Sequence, residues 1–222
     1  MTRPDKTDWD HYHRRPNPAA LITRRITASR LLGAIMRHAA PRDPGRMVVL
    51  ELGGGGSSFY ELILSRLKPA RYHLVDSNLT SLTMLGSAPQ ADPRVVCHVC
   101  DARRCLLPVK ADVVFSVGLI EHFEPQDTQR VIDAHFAHLA PGGVALITFP
   151  TPTWLYRLAR GLAESLRLWN FPDERPLTLP EVLAAMKGQG QVVEQGIIWP
   201  IVYTQGLVVV KTRSAPDADP AA

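Results

Sequence analysis

Apolar and polar positions along this chain change period again and again, and the alternation predicts the fold. Met47-Val48-Val49-Leu50 is a short continuous apolar run, followed by Glu51-Leu52 and four glycines, Gly53 to Gly56. A run of that length, closed by a turn signal, reads as a strand buried on both faces of a parallel sheet. A helical period starts at Ser57 or Ser58 and stops before Pro69. The pattern then recurs: a strand over Arg71–Val75 ending at Asp76, a helix over Asn78–Leu85, and a third strand, Arg94–Val99, ending near Asp101. A fourth strand, Asp112–Val117, leads into Gly118-Leu119-Ile120-Glu121-His122-Phe123. Pro125–Leu139 reads as a helix, and Pro141-Gly142-Gly143 as a sharp turn into a fifth strand, Val144–Phe149. Strands alternating with helices predict a doubly wound α/β sheet, in which ligands lie beyond the carboxyl ends of the strands. Glu51, Asp76, Asp101 and Ser116 all fall at those ends.

The two flanks differ from this core. Residues 1 to 20 are polar and carry Pro4, Pro16 and Pro18, which predicts a loosely held arm, although its centre, Trp9-Asp10-His11-Tyr12-His13, is aromatic. A helix is expected from about Thr27 to Ala40, with Leu31, Leu32, Ile35 and Met36 on one face. Past Pro150 and Pro152, an amphipathic helix opens at Trp154 and runs to about Leu168. A proline-rich loop, Phe171 to Pro176, and a short helix near Pro180–Lys187 follow. Gln191–Trp199 and Tyr203–Lys211 read as a closing β-pair. The expected organisation is an arm or lid over 1–26, a main domain over 27–211 with a further lid at 151–176, and a disordered tail over 212–222.

Composition narrows the class. With 222 residues, 45% hydrophobic and 21% charged, the chain suits one globular domain. No apolar run approaches the roughly 20 residues a membrane span needs, and the polar N-terminus has no secretory h-region. Cys97, Cys100 and Cys105 are odd in number, and zinc would need a fourth ligand for which His98 is the near neighbour. Reduced cysteines and a cytoplasmic location are expected. His135 and His138, three apart on one predicted helix, read as surface or packing residues, and no metal site is expected. The net charge of +4 is modest and partly reflects Arg14, Arg15, Arg24, Arg25 and Arg30. Such a patch suits nucleic acid, an anionic membrane surface or a phosphorylated substrate, or is a solvated helix face.

The glycine turn lets a ligand lie against backbone N–H groups at the positive end of a helix. A phosphate-cradling loop is disfavoured, because no Lys-Ser or Lys-Thr pair follows the glycines. A dinucleotide site stays open, although Ser58 stands where its last glycine would be. Glu51, an acid on the last turn of the strand, suits a ligand with positive charge near the loop.

Taken in order, these motifs resemble a class I S-adenosylmethionine-dependent methyltransferase of the small-molecule type, over about Met47 to Lys211. Glu51-Leu52-Gly53-Gly54-Gly55-Gly56-Ser57 resembles that family's acid-x-Gly-x-Gly-x-Gly loop, with Ser57 at the usual third glycine. The resemblance implies a Rossmann-like, mostly parallel seven-stranded sheet with helices on both faces and an antiparallel C-terminal strand. It implies S-adenosyl-L-methionine as donor and S-adenosyl-L-homocysteine as product, with no metal. Glu51 would face the methionine ammonium, with Gly53, Gly54 and Gly55 beneath it. Asp76 and Ser77 would take the ribose, Asp101 and Ala102 the adenine, and Ser116 and Gly118 the region near the sulfonium through backbone groups.

Methyl transfer is an in-line displacement, so alignment does most of the work, and a base helps when the acceptor bears a proton. His122 is the leading candidate for that base, with a capping or packing histidine as the alternative reading. His11 and Tyr12 follow if the arm folds over the site, since Trp9 to Tyr12 resembles the lid of small-molecule methyltransferases. Trp154, Tyr156 and Arg157, with Arg160, Trp169 and Arg175, supply aromatic faces and cations suited to a phosphorylated, nucleotide-linked or lipid-linked sugar. In the plainer reading Trp154, Leu158 and Leu162 pack on the sheet, and in a third the helix grazes a membrane. The expected function is methylation of a small molecule such as a sugar or secondary metabolite. RNA or protein methylation, or a non-catalytic adenosyl- or NAD-binding module, are the alternatives. Nucleic acid is not an expected partner, and the oligomeric state is left open.

Overall fold

The computed structural model describes residues 6–14, 18–39, 44–57, 59–86, 92–199 and 204–214. Seven strands form one sheet in the order β3-β2-β1-β4-β5-β7-β6. They are β1 (Val48–Leu52), β2 (Arg71–Asp76), β3 (Val95–Val99), β4 (Ala111–Val117), β5 (Leu139–Pro150), β6 (Gln191–Ile198) and β7 (Gln205–Lys211). The first five run parallel to one another, and β7 alone runs antiparallel, between β5 and β6. The chain moves outward from β1 through β2 to β3, then crosses back to β4 on the other side of β1. The crevice above β1 and β4 is therefore the switch point at which such sheets bind ligands.

Side chains alternate faces along each strand, so the apolar runs are covered on both sides. Val49, Tyr72, Phe115 and Leu146 meet Leu31 and Ile35 of α2 (Pro18–His38) and Ile63 and Leu67 of α3 (Tyr60–Leu67). Ile147 and Val208, on the opposite face, meet Val131 and Ile132 of α5 (Pro125–Ala137), Val182 of α7 (Leu179–Ala185) and Met186, which caps it. The remaining helices are α1 (Trp9–Arg14), α4 (Leu79–Gly86) and α6 (Trp154–Ser165).

The structure revises several boundaries. α2 begins at Pro18 rather than near Thr27, so the expected division at 26/27 lies inside a continuous helix. Proline is compatible with that start, because a first-turn N–H has no helical partner to lose. Residues 9–14 of the arm are helical, not loosely held. β5 absorbs the Pro141-Gly142-Gly143 turn, with the bend carried by Gly142 at φ 71°. Thr212 and Arg213, expected in the tail, still pair with Gly143 and Gly142, and residues 215–222 lie outside the described part. α6 ends at Ser165, before Leu168.

His135 and His138 are buried packing residues. Each donates from Nδ1 to a carbonyl one turn back, Val131 and Ala134, so each Nε2 accepts, from the Ser116 hydroxyl at 2.9 Å and the Leu107 N–H at 3.1 Å. Burial lowers the His135 pKa to about 4, keeping it neutral. Cys97, Cys100 and Cys105 are free thiols, and His98 bonds His73 instead of joining them.

Candidate functional site

The site is built first at the carboxyl end of β1. Gly53 and Gly56 have positive φ, 73° and 70°, which turns the backbone back under the crevice. A Cβ on Gly54 would come within 2.4 Å of Leu74 Cδ2, and one on Gly55 within 2.6 Å of Asp76 Oδ2. Both positions thus require glycine because other groups press against the loop. Glu51 lies buried beneath it, accepting from Tyr72 Oη at 2.7 Å and Ser57 Oγ at 3.0 Å. Burial drives its pKa up to about 7 despite those two bonds. Ser57, the departure from the family pattern, thus holds Glu51 and also accepts from the Phe59 N–H at 3.1 Å.

Asp76, at the end of β2, is fixed by two backbone donors: Gly55 N to Oδ2 and Asn78 N to Oδ1, both at 2.7 Å. Each oxygen keeps a lone pair for a further donor. Asp101 follows β3 and pairs with Arg103, which also reaches Asp127 at 3.0 Å. That pairing, despite burial acting the other way, holds the Asp101 carboxyl below its ordinary pKa.

The opposite wall comes from segments far apart in the chain. His122, in the short helical turn after β4, has Nδ1 3.2 Å from Asp173 Oδ1. Since a carboxylate accepts, Nδ1 carries the proton and Nε2 is the unprotonated ring nitrogen, 3.9 Å from Glu121 Oε1. Burial pulls the His122 pKa down, but the Asp173 bond and the charges of Glu121, Asp173 and Glu174 outweigh it and leave it raised above 6.5. Asp173 is drawn down to about 2: burial opposes the shift, and His122 and Thr7, which donates to it, prevail. Glu121 lies beside this pair, buried, with no hydrogen-bond partner for Oε2 among the described residues. Burial raises its pKa to about 8. Glu174 accepts from Tyr156 Oη and lies 3.7 Å from the Arg160 guanidinium.

The N-terminal segment closes over this wall. The Trp9 ring meets the His122 ring edge-on at 4.9 Å, Tyr12 meets Phe171 at 5.0 Å, and Asp10 accepts from Asn78 at 2.7 Å. These elements line a cavity of about 490 Å³ that opens to solvent, within the size range of small-molecule sites.

Of the residues expected from sequence, Glu51, Gly53, Gly55, Asp76, Ser77, Asp101, Ala102, Gly118, His122, Tyr12 and Tyr156 line that cavity. Gly54 supports the loop from behind, and Ser116 turns away to His135, so its side chain is structural. Trp154 and Arg157 are exposed and do not line the cavity. His11 belongs to α1, but its side chain is outside the described part. Sequence reasoning missed Glu121, Asp173 and Glu174. The adjacent acids in Phe171-Pro172-Asp173-Glu174-Arg175-Pro176 were the available signal, an acidic pair held between two prolines. Among the described residues, Glu121, His122 and Glu174 also bring three potential ligand atoms within 4.8 Å of one another.

The chain matches the family described as "Methyltransferase domain" over residues 23–183. No curated protein matches it in sequence. Among solved structures, it is similar to magnesium protoporphyrin IX methyltransferase from Synechocystis, with a TM-score of 0.71 at 11% identity, covering 92% of this chain and 94% of that one. It is also similar to the N-methyltransferase NodS from Bradyrhizobium japonicum in complex with S-adenosyl-l-homocysteine, with a TM-score of 0.66 at 13% identity, covering 92% and 93%. An O-methyltransferase family protein from Burkholderia thailandensis aligns with a TM-score of 0.62 at 18% identity, covering 84% of this chain and 57% of that one. This chain therefore spans little more than half the length of the Burkholderia protein. At such identities the likeness is one of fold.

Proposed function

The chain belongs to the methyltransferase-domain family, the S-adenosylmethionine-dependent enzymes of class I, and we propose that its acceptor is a small molecule deprotonated by His122. One observation supports this above the others: the Glu51–Asp76 wall and the His122–Asp173 pair line the same cavity. S-adenosylmethionine, when bound, supplies a methyl carbon on a cationic sulfur, open to in-line attack by a nucleophile.

The residues suit that donor. Glu51, held between Tyr72 and Ser57, offers a carboxylate to its cationic tail, and Asp76 keeps acceptor capacity for ribose hydroxyls. Glycine at 53, 54 and 55 lets Leu119, Leu74 and Asp76 press against the turn, which sets Glu51 and Asp76 beside one another. On the acceptor side, Asp173 holds the His122 tautomer with Nε2 as the vacant base, which takes a proton from an acceptor hydroxyl or ammonium. The Trp9 and Phe171 rings pack against the imidazole, which is 8% exposed. The cavity has room for a donor and a modest acceptor. The proteins of similar fold named above include methyltransferases of O, N and porphyrin type, which agrees with a small acceptor and leaves its atom open.

The test is incubation with methyl-labelled S-adenosylmethionine and separate pools of small metabolites, RNA and protein, read by mass spectrometry. Label in the metabolite pool, lost in His122→Ala with S-adenosylhomocysteine binding retained, is the expected result. Label confined to RNA or protein would overturn the small-molecule reading.

A further inference from the structure

α6 turns its apolar stripe outward. Trp154, Leu158 and Leu162 of the helix, with Leu166 and Leu168 just beyond it, are 73%, 64%, 61%, 59% and 66% exposed. A four-residue spacing places the helical members in one row. The arrangement is not a loosely attached helix, because the inner face is firmly held. Thr153 caps the first turn, Tyr156 is buried and donates to Glu174, and Arg160 donates to the Glu174 carbonyl at 3.0 Å and lies over Trp169. The row is thus presented by a fixed scaffold.

The charge along the same surface is one-sided. Arg157 and Arg167 are exposed beside the stripe, whereas Glu164, the acid of this helix, is half-buried and paired with Arg160 at 2.9 Å. Exposed leucines, a tryptophan at one end and flanking arginines without exposed acid are the composition of a helix lying in an anionic lipid interface. The formal net charge of +4 has the same sign. A second protein copy is a poorer fit, since a stable protein interface uses roughly 20–30 residues a side and this row offers far fewer.

We propose that α6 docks this protein on an anionic lipid surface, with Trp154, Leu158, Leu162 and Leu166 in the headgroup region and Arg157 and Arg167 on lipid phosphates. Leu168 and Trp169 follow the stripe and line the cavity, so docking sets that rim of the cavity against the lipid. No described helix is long and apolar enough to cross a membrane, which makes the contact a surface one.

The experiment is co-sedimentation of the full chain with vesicles of phosphatidylcholine alone and of phosphatidylcholine and phosphatidylglycerol in equal parts. Binding to the anionic vesicles, weakened by added salt, with a blue shift in tryptophan emission that Trp154→Phe removes, is expected. Leu158→Glu/Leu162→Glu should lower the partition constant about tenfold or more, and Arg157→Gln/Arg167→Gln should reduce it on anionic vesicles. Both variants alter exposed side chains, and unchanged S-adenosylhomocysteine binding verifies their fold. Equal sedimentation of wild type and the Glu variant, or no binding to anionic vesicles, overturns the proposal. A vesicle-free dimer that the Glu variant dissolves would instead assign the stripe to a second copy and overturn it too.

Discussion

His122 Nδ1 lies 3.2 Å from Asp173 Oδ1, although 51 residues separate the two. The contact joins the turn after β4 to the loop after α6, and it makes Nε2 the one ring nitrogen able to accept a proton. If this nitrogen is the base, kcat/KM rises with pH through a pKa above 6.5, because the neutral imidazole is the active form. Asp173→Asn removes a charge that favours imidazolium, so the rising limb should move to lower pH. His122→Ala should lower kcat by about 10²–10⁴-fold with little change in S-adenosylhomocysteine affinity. A pH profile that is the same in Asp173→Asn would contradict this pairing.

Asp76 is preorganised by the N–H groups of Gly55 and Asn78. Replacing it with Ala removes an ionised acceptor whose hydrogen bonds are worth about 1.5–3 kcal/mol, so S-adenosylhomocysteine should bind roughly 10–100-fold more weakly. Calorimetric titration measures this, and an affinity within twofold of wild type would remove Asp76 from the donor site.

Glu51 links donor binding to pH. Its pKa of about 7 in the free protein means that a cationic ligand must bind the ionised minority below pH 7 and the majority above it. Donor affinity should therefore rise as pH increases through about 7, with protons released on binding. Titration in buffers of different ionisation enthalpy detects the release, and Glu51→Gln should abolish it.

Glu121, like Glu51, makes the stability of the free protein depend on pH. Its folded pKa of about 8 lies above the unfolded value of 4.5, so the folded state keeps a proton that the unfolded chain gives up. The associated stability is complete below pH 4.5 and is lost as pH rises toward 8. Glu121→Gln removes that dependence, so its free energy of unfolding relative to wild type should climb between pH 5 and 8 by on the order of a few kcal/mol, read by denaturant titration at each pH. A constant difference across that range would place the carboxyl in a wetter setting than the structure shows.

Local pattern determined the donor side of this molecule. The run Met47–Leu50, Glu51 and the glycines lie within one strand and one turn, and the alternation of strands and helices orders Asp76 and Asp101 at neighbouring strand ends. Short-range periodicity and the handedness of parallel crossovers suffice for that, because each link involves residues close in sequence. The acceptor side was not legible in the same way. Thr7 reaches Asp173 across 166 positions, and Glu121 meets Glu174 only through the folding-back of the loop after α6. α6 states the difference in a single element: its period showed that one face is apolar, but not which face would turn inward. Hydrogen bonds from Tyr156 and Arg160 to Glu174 decided it, holding the polar anchors inside and leaving Trp154, Leu158 and Leu162 in solvent. Periodicity defines a stripe; what the stripe meets depends on contacts whose partners lie elsewhere in the chain.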